Sequence, residues 1–218
     1  LEIGAGRGTK TYVMMCQAKR AGYERQHTAL DLHDRKCDLN LARLHKAGIQ
    51  GVRTVSGDAC ELDEVLTSFD AMLGEPVKFD TVFIDAPCSG TGTMRRHPEI
   101  PWRLTENDVT TELPKLQLAM LKEAAVRVAA GGELIYATCS VFDEENTQVV
   151  DAFLASPKGA GFTMAPLSGA QILQLPDFEQ AKKLVSVRQN DRGLFQSVPV
   201  NADSYDGHFC ARLVRQSS

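Results

Sequence analysis

The sequence lacks any apolar run that approaches the roughly 20 residues of a membrane span. It also lacks a recognisable signal peptide, with its basic start and short apolar centre. We therefore expect a cytoplasmic protein that makes no contact with a membrane. Apolar residues form 43% of the 218 positions and charged residues 24%, a balance typical of a globular domain with a sizeable core.

An excess of positive charge is also missing. Lysine and arginine together number 24, against 28 aspartates and glutamates, which gives a net charge of −4. Domains that bind nucleic acid are usually basic, so the composition alone gives no support for such a partner. If a nucleic acid binds, local basic patches or a region outside this chain must hold it.

The six cysteines lack the spacing of a metal site or of a disulfide framework. No pair has the C-x-x-C arrangement that favours zinc, so we expect no metal and, in the cytosol, free thiols. Cys16, Cys37 and Cys60 are predicted to be buried small hydrophobes. Cys210 is predicted to lie in the core within a late strand, whereas the other two cysteines stand in more distinctive motifs.

Apolar runs alternate with helical patterns, which predicts an α/β fold with a mostly parallel twisted sheet and helices on both faces. Near-continuous apolar runs are typical of strands that are covered on both sides. Because the chain opens directly on a glycine-rich motif, we expect most of the first strand to precede it. The predicted strands are the stub Leu1–Ile3, "HTALDL" (27–32), "VRTVS" (52–56), "FDTVFID" (79–85) and "GELIYATC" (132–139).

The predicted helices lie between these strands. Glycines that follow a helical pattern are typical helix ends, and an acidic cluster suits a helix N-terminus. The predicted helices cover residues 9–20, about 34–47 with Gly48 at the end, about 111–130 with Gly131 and Gly132 at the end, and a segment that begins near Asp143.

Towards the C-terminus the helix–strand pattern weakens. Residues 156–171 are interpreted as a loop. The segments "KKLVSVRQN" (182–190) and "HFCARLVR" (208–215) are predicted to be strands, and we expect them to form an antiparallel pair that closes the sheet. No domain boundary is apparent, so residues 1–218 are interpreted as a single domain, which we expect to be a monomer.

The stretch "LEIGAGRGTKT" follows a strand and opens a helix. Gly4, Gly6 and Gly8 let the backbone pack close to a ligand, and the helix N-terminus offers free N–H groups. Asp31 ends the second strand, where a carboxylate can accept hydrogen bonds from ribose hydroxyls, and Asp58 follows the third strand. The pattern predicts a nucleoside cofactor, and both NAD(P) and S-adenosylmethionine fit it.

Two thiols are predicted at neighbouring strand ends. Cys88 follows the fourth strand, and Cys139 stands at the end of the fifth. Adjacent strands lie about 4.8 Å apart, so we expect the thiols to face one pocket within roughly 5–10 Å of each other. If their Cα atoms come within about 7 Å, a reversible disulfide is an alternative use of the pair.

Two thiols beside a nucleoside cofactor suit methylation at carbon 5 of a pyrimidine. A thiolate that attacks carbon 6 makes carbon 5 nucleophilic enough to take a methyl group from a sulfonium, and a base must then remove the proton at carbon 5. A nearby cation such as Lys10 would favour the thiolate. Asp85, at the end of the fourth strand, could hold the amine or a protonated ring nitrogen of cytosine.

On these motifs the sequence resembles the Fmu/Sun family of S-adenosylmethionine-dependent RNA cytosine-5 methyltransferases, which have a Rossmann-like fold. The resemblance covers nearly the whole chain. It is strongest in "DAPCSGTG" (85–92) and "TCS" (138–140), and extends to "LDLHDRKCDLNLARL" (30–44), "MRRHPEIPWR" (94–103), "EEN" (144–146) and "DGHFCARL" (206–213).

The resemblance implies a role for each catalytic residue. Cys139 is the nucleophile, and Cys88 assists removal of the carbon-5 proton and release of the product. Asp85 contacts the target base, and Lys10 matches the lysine that ends the family's first motif. The implied cofactor contacts are Gly4, Ala5, Gly6 and Gly8 at the methionine end, Asp31 at the ribose and Asp58 at the adenine, together with Lys10, Lys36 and Asp85.

The chain departs from the family in its first motif. Arg7 stands where proline is usual, and the loop is closer to the general methyltransferase pattern. The family also normally has an N-terminal extension, and often a separate RNA-binding domain, and neither is found within this chain. The absence of these two regions from the chain agrees with its acidic net charge.

The basic segment after Gly92 is the best local candidate for RNA binding. Arg95, Arg96, His97 and Arg103 could meet phosphates, and Trp102 could stack on a base or pack against the protein. The alternative is a solvated loop without a ligand.

The leading hypothesis is methylation of RNA at carbon 5 of cytosine, with small-subunit ribosomal RNA as the expected target and transfer RNA as the second. One alternative is an S-adenosylmethionine-binding, RNA-associated module without catalysis. Another is an NAD(P) oxidoreductase, which would share the glycine loop and Asp31. A Tyr-x-x-x-Lys signature for that chemistry is absent, as is the Asp-Pro-Pro-Tyr motif of amino-group methyltransferases.

Overall fold

The computed structural model describes residues 1–199 and 205–217. In this part of the chain, eight strands form one sheet in the order β3-β2-β1-β4-β5-β8-β6, and β7 also pairs with β8. The strands β1 to β5 run parallel, whereas β8 runs antiparallel to β5, β6 and β7. The strands are β1 (Glu2–Ile3), β2 (His27–Asp31), β3 (Val52–Ser56), β4 (Phe79–Asp85), β5 (Val128–Thr138), β6 (Phe162–Ala165), β7 (Phe195–Ser197) and β8 (His208–Arg215).

The helices connect the parallel strands. Because crossovers between parallel strands are right-handed and the strand order reverses between β1 and β4, α1 and α2 cover one face and α5 covers the other. A π-helical turn, Asp108–Glu112, leads into α5. The helices are α1 (Thr9–Arg20), α2 (Asp34–Lys46), α3 (Leu62–Val65), α4 (Thr67–Leu73), α5 (Leu113–Val126), α6 (Thr147–Leu154) and α7 (Glu179–Arg188).

The Rossmann-like α/β prediction is confirmed, including the antiparallel closing strand. Every residue of β2 is buried, as expected for a strand between two helix layers. The centre of the core lies on the middle strands, where Ile84, Leu134 and Tyr136 are completely buried. The ring of Tyr136 packs edge-on against Phe209 of β8, with 6.2 Å between the ring centres.

A buried ion pair joins α4 to the start of β5. The Arg127 side chain is only 1% exposed, and its guanidinium donates to both carboxylate oxygens of Asp70 at 2.9 Å. It also donates to Asp63 at 2.7 Å. Since a buried guanidinium without a partner is very costly, these carboxylates stabilise this corner of the fold.

The predicted strand at 182–190 is wrong, because its residues 182–188 belong to the surface helix α7. The outer edge of β8 pairs instead with β6 and β7. β6 comes from the segment that was interpreted as a loop. Because the edge of β8 is occupied, residues 182–188 satisfy their backbone hydrogen bonds within a helix. The β-branched Val187 is left 77% exposed.

The predicted helix over 111–130 is too long at its C-terminal end. α5 ends at Val126, and β5 begins at Val128, which pairs with Phe79 of β4. Gly131 adopts a φ of +70° inside β5, beside a shift in the register with β4. The two glycines therefore mark a bulge in a strand and do not end a helix.

Several smaller predictions also need correction. Cys16 is exposed on α1, because the buried face of that helix is formed by Thr11, Met15 and Ala18. Cys37 is buried as predicted, whereas Cys60 and Cys210 are only partly buried, because each lies at the margin of the core. The helix expected near Asp143 begins later, at Thr147, after a single 3-10 turn that carries the acidic cluster.

Candidate active site

The carboxyl ends of the parallel strands bring the predicted functional residues to one edge of the sheet. Gly4 follows β1, Asp31 ends β2, Asp58 follows β3, Asp85 ends β4 and Cys139 follows β5. Ligands of doubly wound folds bind at this edge, where the strand order reverses. In this chain the reversal lies between β1 and β4, so the glycine loop and Asp85 are neighbours.

Two glycines of the loop have no room for a side chain. A Cβ at Gly4 would lie 2.3 Å from the backbone oxygen of Asp85, and one at Gly8 would lie 1.9 Å from the Oδ1 of Asn40. Both residues also have φ near +80°, a conformation that favours glycine. The loop is therefore packed tightly against β4 and α2. The sequence did not reveal the contact with Asn40 of α2.

Asp31 is held by the glycine loop and by the start of α2. Its Oδ2 accepts a hydrogen bond from the Gly6 N–H at 2.9 Å, and its Oδ1 accepts one from the His33 N–H at 3.0 Å. The ammonium of Lys36 lies 3.3 Å from Oδ1. These contacts fix the carboxylate that the sequence assigned to a ribose.

Asp58 is exposed and lies in a turn after β3. Its Oδ1 accepts a hydrogen bond from the Cys60 N–H at 2.8 Å, which fixes the turn. The side chain of Arg7, the residue that departs from the family pattern, is exposed. Its backbone carbonyl accepts a hydrogen bond from Arg43 of α2 at 3.4 Å, and Arg43 also donates to Thr9 at 2.7 Å.

Lys10 and Asp85 form an ion pair at the mouth of the site. The Nζ of Lys10, in the first turn of α1, lies 2.5 Å from the Oδ2 of Asp85. Both side chains keep contact with solvent. The pair joins the glycine loop to the strand that leads to Cys88.

The two thiols are in contact, closer than the predicted 5–10 Å. The Sγ atoms of Cys88 and Cys139 lie 3.3 Å apart, and both cysteines are free. The backbone N–H of Cys139 also donates to the sulfur of Cys88 at 3.4 Å. The parallel pairing of β4 with β5 creates this contact, because Asp85 pairs with Ala137 at the ends of the strands.

The surroundings of the two thiols make them chemically different. The hydrogen bond from Cys88 lowers the pKa of Cys139, and the charge of Lys10 acts in the same direction, against the opposing effects of burial and of Asp85. The pKa of Cys88 is raised by the same hydrogen bond and by burial. Cys139 is thus the thiol of the pair that ionises first, and a thiolate is the nucleophilic form.

Three other cysteines are poorly suited to such chemistry. Burial raises the pKa of Cys60 to about 11 and that of Cys210 to about 12, and it also raises the pKa of Cys37. These thiols stay protonated at neutral pH and act as small apolar groups.

A buried polar cluster that sequence reasoning missed adjoins the two cysteines. It is formed by Ser89, Thr91, Gln117, Ser140 and Glu145. The hydroxyl of Ser89 donates to that of Ser140 at 3.1 Å and bonds with that of Thr91, also at 3.1 Å. The signal in the sequence was "EEN" (144–146), which was used only as one of the motifs that carry the family resemblance.

The predicted RNA-binding side chains lie together, but each cation has an acidic neighbour that the sequence did not reveal. Arg96 donates to Asp206 at 2.8 Å, and Arg95 lies 3.9 Å from the same carboxylate. His97 and Arg103 both lie close to Glu99, at 3.3 and 3.5 Å.

Trp102, in the same segment, is 89% exposed, so it does not pack against the described part of the protein. Backbone hydrogen bonds connect the start of this segment to the Cys139 loop. The Gly92 N–H donates to the Cys139 carbonyl, and the Gly207 N–H donates to the Gly92 carbonyl, each at 2.8 Å. Asp206 and the basic segment are therefore held beside the thiol pair.

Residues 1–199 and 205–217 contain neither a metal site nor a membrane-spanning helix. No group of three or more histidine, cysteine, aspartate and glutamate side chains in these ranges could hold a metal ion. No helix in the same residues is long and apolar enough to cross a membrane.

The fold and the arrangement of its strand ends define a Rossmann-like domain of the methyltransferase class. A solved structure of NSun6 from Pyrococcus horikoshii with SFG superposes with a TM-score of 0.72 at 20% identity, covering 100% of this chain and 47% of that one. The family model for 16S rRNA methyltransferase RsmB/F matches residues 1–214. The chain belongs to that family, which confirms the Fmu/Sun resemblance and sets aside the oxidoreductase alternative.

Curated relatives agree with this assignment. The ribosomal RNA small subunit methyltransferase B of Citrobacter koseri is 34% identical over 163 residues, which cover 75% of this chain and 35% of that protein. The protein of the same description from Yersinia pseudotuberculosis is 34% identical over 182 residues, which cover 81% of this chain and 39% of that protein. The chain thus spans little more than a third of the length of the relatives it matches.

Proposed function

We propose that this domain transfers a methyl group from S-adenosylmethionine to carbon 5 of a cytosine in RNA, through a covalent bond between Cys139 and the base. The observation that carries the proposal is the contact of 3.3 Å between the sulfurs of Cys88 and Cys139 at the carboxyl edge of the sheet. The descriptions of the family and of its relatives support small-subunit ribosomal RNA as the target. A cytoplasmic location and a monomeric state stay predictions.

The glycine loop and Asp31 fit S-adenosylmethionine. A Cβ at Gly6 would meet only the Gly4 carbonyl, at 4.0 Å, so the loop is open at this point. A carboxylate has about four acceptor positions, and Asp31 uses three of them for Gly6, His33 and Lys36, which leaves one for a hydroxyl group.

The residues that would hold the cofactor are those named from the sequence. When bound, S-adenosylmethionine supplies an electrophilic methyl group carried on a sulfonium. Backbone groups of the loop suit its methionine end, and the carboxylates suit its nucleoside. The set is Gly4, Ala5, Gly6 and Gly8, then Asp31, Lys36 and Asp58, with Lys10 and Asp85 on the side that faces the base.

The first chemical step belongs to Cys139. Its thiolate donates an electron pair to carbon 6 of the cytosine, a carbon–sulfur bond forms, and the displaced π electrons make carbon 5 nucleophilic. The carboxylate of Asp85 accepts a hydrogen bond from the exocyclic amine, as carboxylates do when they recognise cytosine. Lys10, at 2.5 Å, holds that carboxylate in place and favours the thiolate.

The second step belongs to Cys88. Once carbon 5 has gained the methyl group, Cys88 removes the remaining proton, the double bond between carbons 5 and 6 forms again, and Cys139 leaves as a thiolate. The hydrogen bond with Cys139 is the main cause of the raised pKa of Cys88. That bond is lost when the Cys139 sulfur is bound to carbon, so Cys88 becomes able to give its proton to solvent and act as a base only after the attack.

RNA contacts are proposed for the segment beside the thiols. Arg95, Arg96, His97 and Arg103 supply positive charge for phosphates, and the exposed ring of Trp102 offers a surface on which a base can stack. The acidic neighbours Asp206 and Glu99 reduce that charge, so RNA competes with them for the arginines.

Two single variants test the mechanism with small-subunit ribosomal RNA, transfer RNA and a labelled methyl donor. We expect Cys139→Ala to abolish methylation and any covalent adduct. Cys88→Ala should attack and methylate but fail to release, which leaves a protein–RNA adduct that survives denaturant. Normal turnover by Cys139→Ala would overturn the mechanism, and methylation of transfer RNA alone would overturn the assigned target. If the wild type binds the cofactor and RNA but methylates neither RNA, the non-catalytic alternative holds.

A further inference from the structure

One buried carboxylate contacts both loops that carry the thiols. Glu145 is completely buried, in the 3-10 turn that follows the Cys139 loop. Its Oε2 accepts a hydrogen bond from the backbone N–H of Ser89, the residue after Cys88, at 2.8 Å. Its Oε1 accepts a hydrogen bond from the hydroxyl of Ser140, the residue after Cys139, at 2.6 Å. The two oxygens of a single side chain therefore bridge the two loops.

The bridge is reinforced on the Cys88 side. The side-chain amide of Gln117, on α5, donates to the same Oε2 at 3.0 Å and to the backbone carbonyl of Pro87 at 2.9 Å. Pro87 and Ser89 flank Cys88 directly. The backbone on both sides of this cysteine is thus held by groups that converge on Glu145.

Glu145 is itself fixed to β5. Its backbone carbonyl accepts a hydrogen bond from the hydroxyl of Tyr136 at 2.6 Å. The neighbouring Asn146 accepts one from Thr138 at 2.6 Å and donates to the Ser140 carbonyl at 3.0 Å. The carboxylate therefore sits on a rigid support, as is needed for a group that sets distances of tenths of an ångström.

The fold alone gives no reason for a carboxylate at this position. Burying one is costly unless it is fully hydrogen-bonded, and among the described residues no lysine, arginine or histidine forms an ion pair with Glu145. Apolar side chains of similar volume often stabilise a core as well as buried charges do. What a carboxylate adds here is the ability to accept hydrogen bonds from two loops at once.

We infer that Glu145 is a positioning residue whose carboxylate holds the thiols of Cys88 and Cys139 in contact. At 3.3 Å between the sulfurs, the thiol of Cys88 can donate to the sulfur of Cys139. A separation larger by 1 Å would remove that hydrogen bond. The catalytic consequence rests on the proposed function, whereas the spacing of the thiols does not.

The rate at which the two thiols form a disulfide reports their spacing without RNA or methyl donor. Diamide oxidises the pair by accepting its two hydrogens, and peptide mass analysis follows the Cys88–Cys139 disulfide over time. We expect Glu145→Ala to slow this reaction by about tenfold to a hundredfold, the size of effect that a misplacement near 1 Å causes. Glu145→Asp keeps the carboxylate but is too short to reach both loops, so it should also be slow. Glu145→Gln keeps the length and should retain more of the rate than either.

Two control variants separate spacing from general stability. Glu144→Ala removes a neighbouring carboxylate from the same turn and should oxidise like the wild type. Asp70→Ala should lower the melting temperature, because it breaks the ion pair with Arg127, without slowing disulfide formation. If Glu145→Ala melts early but oxidises at the wild-type rate, the carboxylate only stabilises the fold and the inference is wrong.

Glu145→Asp decides the matter if Glu145→Ala does not fold, and a wild-type oxidation rate in that variant would equally overturn the inference. Retained methylation by Cys139→Ala would overturn the proposed function alone. The spacing experiment would keep its meaning, since it needs neither substrate.

Discussion

The sulfur of Cys88 lies 3.3 Å from the sulfur of Cys139, and the backbone N–H of Cys139 points back at Cys88 from 3.4 Å. The hydrogen bond between the sulfurs lowers the pKa of Cys139 and raises that of Cys88, and Lys10 also lowers the pKa of Cys139. The N–H of Cys139 acts in the opposite direction, because it favours the thiolate of Cys88. The lowered pKa of Cys139 can therefore be tested directly through the pH dependence of its reactivity.

We expect Cys139 to react with iodoacetamide at lower pH than an ordinary cysteine. Its pKa is lowered by the hydrogen bond from Cys88 and by Lys10, so its thiolate persists as the pH falls and is lost only below the lowered pKa. Cys88→Ala removes the main cause and should move the midpoint of the rate–pH curve upward. Peptide mass analysis gives both curves, with Cys60, whose pKa is raised to about 11, as the internal control. An unchanged midpoint in Cys88→Ala would contradict the assigned cause.

Substitution of Gly8 should destabilise the protein through a steric clash. A Cβ there would lie 1.9 Å from the Oδ1 of Asn40, at a φ of +80°. We expect Gly8→Ala to cost about 2–4 kcal/mol in the free energy of unfolding. Gly74→Ala is the matched control, because Gly74 has a φ of +75° and no atom within 4 Å of the added Cβ. Gly74→Ala should cost only about 1 kcal/mol in the free energy of unfolding. If urea titrations give equal losses for the two variants, the clash with Asn40 does not contribute to the loss at Gly8.

Loss of Asp70 should weaken the fold by about 3 kcal/mol, since Arg127 stays buried with one partner fewer. Burial alone would raise the pKa of Asp70, but hydrogen bonds from the Val77 N–H and from Arg127 outweigh it and hold the pKa below its usual value. The stabilisation is therefore present above the unfolded pKa of about 4 and is lost as the pH falls through the folded pKa.

Urea midpoints for the wild type and Asp70→Ala should consequently differ at pH 7 and converge towards pH 2. Asp63→Ala is the control, because Asp63 contacts the same guanidinium but is 80% exposed. It should cost less than 1 kcal/mol. A larger loss from Asp63 than from Asp70 would show that the wrong carboxylate has been assigned to the buried pair.

Trp102→Ala should weaken RNA binding without a change in melting temperature. The side chain is 89% exposed, so its removal disturbs no described packing, whereas loss of a stacked base costs roughly 1–3 kcal/mol. Filter binding should show a Kd raised by about fivefold or more, with the same salt dependence. Met72→Ala, at another exposed position, should bind like the wild type, and equal affinity of Trp102→Ala would remove this residue from the interface.

Arg103→Ala should act differently from Trp102→Ala. A phosphate contact contributes to the slope of log K against log salt, so loss of Arg103 should reduce that slope by about one. Its neighbour Glu99, 3.5 Å away, competes for the same charge. Glu99→Gln should accordingly strengthen binding at low salt, and no effect from either substitution would favour the solvated-loop alternative.

The strands show how far the sequence could predict the fold. "HTALD" and "FDTVFID" lie between helix layers, and their continuous apolar character predicts strands almost to the residue. The segment 182–190 has similar local preferences but forms a helix through residue 188. In the structure β6 and β7 occupy the edge of β8, and the local sequence contains no information about which strand pairs there.

The sequence by itself determined the α/β class, the family and the strand ends at which Asp31, Asp85, Cys88 and Cys139 stand, because these follow from local periodicity and short motifs. Only the tertiary structure decided that the two sulfurs touch, that Asp206 and Glu99 neutralise part of the basic segment, and that Glu145 bridges the thiol loops. Each of these depends on distances between residues far apart in the chain, which packing sets to tenths of an ångström and which no local pattern encodes.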